Sequence, residues 1–153
     1  MKYILFLISV IMGVQVATAQ DAAIRTRHFN HVKGLAIDGY DPVAYFTAHA
    51  AQKGSSKFAH TFGGITYYFA TPQNLQTFKA NPTAYEPQYG GWCAYAMGNT
   101  GEKIPVDPNT FKIVNGKLYL FYNKWLNNTL TSWNKNENQL NKNADANWKN
   151  IFR

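Results

Sequence analysis

The sequence predicts an α+β domain: a small antiparallel sheet built from two β-hairpins, packed by short helices and a long C-terminal helix. Three observations carry this. Two segments alternate in polarity on either side of a turn dipeptide, Gly63-Gly64 in one and Asn115-Gly116 in the other, which is hairpin patterning. Asp41-Pro42 and Thr71-Pro72 each place a capping residue before proline, and so open short helices. From residue 123 to 151, apolar side chains recur at steps of three, four or seven, which is one helix face.

Taken in order, the chain starts with Lys2, an apolar run from Tyr3 to Val14, and a small-x-small site at Ala17-Thr18-Ala19. That pattern predicts a secretory signal peptide over residues 1–19, with Gln20 as the new N-terminus. The run falls short of the ~20 apolar residues that cross a bilayer, and no other stretch is apolar enough to span. The product is expected to be exported, periplasmic or secreted, with no transmembrane segment in the mature chain. Residues 20–33 hold few apolar anchors and read as a flexible leader, with His28 and His31 at i, i+3. Residues 34–153 form the folded domain.

Within that domain, the helix after Asp41 runs through Phe46, with Val43 and Phe46 turned inward. In the first hairpin Phe58, His60 and Phe62 share a face, and Ile65, Tyr67 and Phe69 share another. The helix after Thr71 carries Leu75 and Phe78 and stops at Asn81-Pro82. Trp92 to Met97 is a turn or short helix, and residues 98–108 are a polar loop. Phe111–Val114 and Lys117–Tyr122 are the strands of the second hairpin. The C-terminal helix presents Leu126, Leu130, Trp133, Leu140, Ala144 and Trp148 on one face. Its asparagines are mediocre helix formers, so it depends on packing and is prone to break midway.

The chain has 153 residues and a formal charge of +7. The lysines are scattered, so they read as a solvated surface, with attraction to anionic lipid or polysaccharide as the sharper alternative. Nucleic acid is not an expected partner of an exported chain. Aspartates before proline suit caps and turns better than acid–base work. The sequence shows no paired-carboxylate motif, no phosphate-cradling glycine loop and no Ser/His/Asp arrangement, so catalysis is the least supported class.

Several spaced motifs together resemble one family. They include Asp41-Pro-Val-Ala-Tyr-Phe46, Tyr68-Phe-Ala70, Pro87-Gln-Tyr-Gly-Gly-x-Cys-Ala-Tyr95, Ile113-Val-x-Gly-Lys-Leu-Tyr-Leu120 and Ala144-Asp-x-Asn-Trp148. In order and spacing these resemble the exported YHS domain-containing proteins, from about Gly34 to Lys149. The resemblance implies a binding module. The short YHS domain of heavy-metal proteins, such as copper-transporting ATPases, is regarded as metal-binding. Where that version carries cysteines, the matching positions here are Ala44, Ala70 and Asn74.

The chemistry then concentrates on the lone cysteine, Cys93, which cannot form an internal disulfide. Cys93 and Met97 are four apart, and on a helical turn would face one way; His60 or His49 could complete a soft site for copper. Alternatively, Trp92, Tyr95, Tyr45 and Tyr67 line a pocket for an aromatic or other organic ligand, or a protein partner docks, and Cys93 is packing. Buried tyrosine hydroxyls need acceptors, for which Asp41 and Asp107 are candidates. Asn127-Asn128-Thr129 matches a glycosylation sequon, expected in helical context.

Overall fold

The computed structural model describes residues 20–152; the signal-peptide expectation falls on residues outside these. Helix α1 covers residues 20–28. It is followed by β1 (His31–Val32), β2 (Leu35–Ala36), α2 (Ala44–Thr47), β3 (Ser55–Phe62), β4 (Ile65–Phe69), α3 (Pro72–Ala80), α4 (Pro82–Tyr85) and α5 (Ala94–Asn99). The second half holds β5 (Asp107–Val114), β6 (Lys117–Phe121), β7 (Asn123–Lys124), β8 (Asn127–Asn128), α6 (Thr129–Lys135) and α7 (Glu137–Asn150). The fold is α+β, with antiparallel hairpins and a long C-terminal helix.

The two predicted hairpins form, but they do not share one sheet. β3 and β4 belong to a four-stranded sheet of order β1-β2-β4-β3, in which β2 runs parallel to β4 through Leu35 and Thr66. β5 and β6 make a separate two-stranded sheet. The reason lies in β6, where Leu118, Leu120, Tyr119 and Phe121 are all buried. Leu118 and Leu120 pack into one core with Ile65, Tyr67, Phe69 and Phe78. Tyr119 and Phe121 pack into a second with Met97, Trp133, Leu140 and Ala144. A strand covered on both faces acts as a partition between two cores, and side-chain alternation sends neighbouring residues to opposite sides.

The start of α3 follows its cap. Thr71 accepts a hydrogen bond from the Asn74 N–H at 3.1 Å, with Pro72 at the first helical position. α2 starts at Ala44 with Val43 as its N-cap, later than Asp41-Pro42 predicts; Asp41 instead holds the preceding turn, accepting the Val43 N–H at 2.8 Å and the Ala44 N–H at 3.2 Å. The C-terminal helix breaks at Asn136 into α6 and α7. It also starts later than its periodicity predicts, because residues 123–128 are a further tight hairpin rather than a first helical turn. Asn128 caps α6 by accepting from the Leu130 N–H at 3.0 Å. α5 and α7 approach so closely that a Cβ on Gly98 would stand 2.4 Å from the Leu140 carbonyl oxygen.

The leader differs most from expectation. Residues 20–28 are helical, and Arg25 anchors them to the body. Its guanidinium pairs with Glu86, donates to the Gly63 carbonyl at 3.1 Å and lies 4.2 Å from the centre of the Phe29 ring. The few apolar anchors are supplemented by a cation whose partners come from distant segments. His28 and His31 do not converge: His28 Nδ1 meets Lys103 Nζ at 2.9 Å, whereas His31 Nδ1 accepts from the Gly34 N–H at 3.0 Å.

Candidate functional site

Cys93 sits at the N-terminus of α5 with no exposed surface. Its sulfur has two polar neighbours. The Tyr122 N–H donates to it at 3.3 Å, and Thr129 Oγ1 lies 3.4 Å away. Thr129 Oγ1 also donates to the Tyr122 carbonyl at 2.8 Å. A hydroxyl has one proton, already given to that carbonyl, so the thiol proton must go to Thr129. The three residues close a ring of hydrogen bonds in which the sulfur is both acceptor and donor. The Thr129 N–H adds a bond of 3.0 Å to the same carbonyl. Tyr122 and Thr129 flank the β7–β8 hairpin, so the ring clamps the hairpin's base.

The proposed metal donors are not brought together. Cys93 packs in the first core and Met97 in the second. His60 pairs with Tyr67 across β3 and β4, and its ring lies edge-on 6.3 Å from that of Phe78. Among the described residues no three of His, Cys, Asp and Glu gather into a group that could hold a metal ion. Cys93 and Met97 are on one helical turn, yet residues four apart diverge when a partition strand separates the cores they enter.

Ala44, Ala70 and Asn74, the positions at which the resemblance expects thiolates, do converge, but on Asp41. Its Oδ1 takes the Val43 and Ala44 N–H groups, and its Oδ2 takes the Ala70 N–H at 2.8 Å and Asn74 Nδ2 at 2.7 Å. A buried carboxylate holding four N–H donors ties α2, the end of β4 and α3 together. Its oxygens are hard and already engaged, so these residues do not fit a soft metal ion.

The four predicted pocket aromatics also part company. Tyr45 is fully buried and donates to the Pro108 carbonyl at 2.8 Å. Tyr67 is buried and donates to Glu86, which also receives Arg25. Burial, then the negative charge of Glu86, holds the Tyr67 hydroxyl well above its ordinary range, so it stays protonated as a donor. Neither Asp41 nor Asp107 serves these hydroxyls. Asp107 instead accepts from Asn109 and Thr110; burial pushes its carboxyl up, but those hydrogen bonds outweigh it and lower it overall. Trp92 is half-buried and donates to the His28 carbonyl at 2.7 Å, on a small cavity beside Val32 and Pro105.

Tyr95 alone of the four lines the groove above Cys93. This groove, about 380 Å³, is walled by Tyr95, Tyr122 and Ile104 and edged by Asn99, Glu102 and Asn127. Its lining is chiefly apolar, and its polar groups are two amides, a carboxylate and the Thr100 and Thr129 hydroxyls, with the Cys93 thiol beneath. A second cavity of about 390 Å³ lies between Tyr89, Trp148, Asp145 and Lys149 and is more polar. Burial, then the neighbouring Asp145 charge, raises the Tyr89 hydroxyl there, which donates to Asp145 at 3.0 Å.

Thr129, Tyr122 and Asn127 were missed from sequence. The available signal was Asn128, an N-cap residue directly before Thr129. Starting the helix there would have released residues 123–128 to form a turn. Comparison with family models, with curated proteins and with solved structures finds no match for this chain.

Proposed function

We propose that this chain is an exported, non-catalytic binding module of the YHS type, holding a small organic ligand with an aromatic or apolar face in the groove above Cys93. The observation that carries the reading is that groove itself. Two tyrosines, Ile104 and Ala96 give it a chiefly apolar lining, among which stand a few polar groups: the Asn99 and Asn127 amides, the Thr100 and Thr129 hydroxyls and the Glu102 carboxylate. Pockets for small molecules combine these features: apolar walls for burial and a few polar handles for orientation. The Glu102 carboxylate on the rim favours a ligand carrying a hydroxyl or a cationic group.

Cys93 is the sealed base of this groove. Its thiol already makes the two polar contacts its position permits, and copper would have to displace both to reach the sulfur. No second soft donor shares the site.

A thermal-shift screen of aromatic amines and phenols tests the reading. At least one class should raise the melting temperature, Tyr95→Ala should remove the shift, and Cys93→Ser should retain it. That serine variant should lose about 1–3 kcal/mol of stability, since the smaller oxygen on a shorter bond fits the spacing to the Tyr122 N–H and Thr129 hydroxyl less well than sulfur does. If no compound shifts the transition, or if the wild type competes with a chelator for Cu(I) and Cys93→Ser does not, the groove reading fails.

A further inference from the structure

The β7–β8 hairpin ends in Trp125 and Leu126, whose side chains are 92% and 108% exposed. Both residues have positive φ, 54° and 63°. L-residues resist that conformation, and neither side chain contributes to a core. Burial therefore does not account for two large apolar groups at the tip. Lys124 precedes them, and the ion pairs among the described residues, Arg25–Glu86 and Lys112–Glu137, do not include it. Asp107, on whose carboxyl the Lys124 charge acts weakly, is already bonded to Asn109 and Thr110.

We propose that this tip is a membrane-docking element, which places Trp125 and Leu126 in the interface of an anionic lipid bilayer with Lys124 at headgroup level. Three features favour lipid over protein. Tryptophan is suited to the headgroup boundary, where its ring is buried and its N–H stays hydrated. The chain is cationic, +7 over its full length and one charge less once Lys2 is removed with residues 1–19, which complements an anionic surface. The two side chains offer on the order of 400 Å², about half of the roughly 800 Å² that each side of a stable protein interface supplies. A bilayer accepts a wedge of that size. Asn127, just past the tip, edges the groove above Cys93, so docking would turn the groove's rim toward the lipid.

The test is flotation of the exported protein with phosphatidylcholine vesicles, with and without phosphatidylglycerol. Wild type should float with the anionic vesicles. Trp125→Asn with Leu126→Gly installs residues that favour positive φ, so it should fold at least as stably and bind about tenfold or more weakly. Lys124→Gln should weaken binding by a smaller factor. Trp125→Phe should keep the binding but remove the part of the tryptophan emission that brominated acyl chains quench. The proposal is overturned if wild type stays unbound, if the Asn-Gly variant binds equally well, or if Trp125→Phe leaves the quenching unchanged. It is also overturned if sedimentation without lipid shows a self-association that the Asn-Gly variant loses, which would make the tip a contact between copies.

Discussion

Four two-residue hairpin turns can be compared in this molecule, and all four have positive φ at both central residues. Lys33-Gly34, Gly63-Gly64 and Asn115-Gly116 carry glycine second, where the absence of Cβ removes the steric objection. Trp125-Leu126 carries none. One backbone demand is met three times by local chemistry and once against it. The difference teaches where the turn's geometry originates. At Asn115-Gly116 the dipeptide itself favours the turn. At Trp125-Leu126 the hairpin's ends are held by Tyr122, Thr129 and Cys93, and the tip conforms. Disfavoured backbone of this kind persists where the surroundings over-determine it.

Three experiments bear on that comparison. The largest effect is expected from grafting the unfavourable dipeptide: Asn115→Trp with Gly116→Leu should destabilise the protein by about 2–4 kcal/mol in denaturant unfolding, because each of two L-side chains is then forced into positive φ at about 1–2 kcal/mol. A smaller loss would mean that β5 and β6 hold their own turn. Next is Thr129→Val, which removes the acceptor of the thiol proton and a hydroxyl donor to Tyr122. It should cost about 2 kcal/mol, the usual penalty for an orphaned buried polar group. Hydrogen exchange should quicken around residues 122–130 while β5 and β6 stay protected; uniform loss would deny the clamp a local role.

The smallest effect lies away from both turns. Burial, then the charges of Lys103 and Arg27, lowers the His28 pKa below the ordinary 6.5. The unfolded chain therefore takes up the proton first, so stability falls as pH drops below about 6.5 and levels off once the folded His28 also titrates. His28→Gln should flatten that slope in pH-dependent unfolding, and neither turn's exchange rates should respond.

The elements legible in the sequence were those with a local cause. Gly63-Gly64 and Asn115-Gly116 marked their turns, and Thr71-Pro72 its helix start. Ile65, Tyr67 and Phe69 announced a buried face, and all three are buried. The β7–β8 hairpin was hidden because Leu126 happens to continue the spacing of Leu130 and Trp133. Periodicity cannot distinguish a helical turn from a coincidence of one residue. The site was less legible still. Cys93 and Met97 satisfy a helical spacing rule, but that rule gives direction about one axis and not which core receives each side chain. The thiol's partners lie 29 and 36 positions away.

By itself, the sequence determined the α+β class, the two main hairpins, the Thr71-Pro72 helix start and the aromatic character of the core, because each rests on contacts between near neighbours in the chain. The tertiary structure alone decided that the hairpins occupy separate sheets, that Asp41 gathers four N–H groups, that the thiol is sealed by Tyr122 and Thr129, and that Trp125 and Leu126 stand in solvent. Those outcomes depend on which distant segments meet. A strand buried on both faces sets that meeting, by sending alternate residues into different cores.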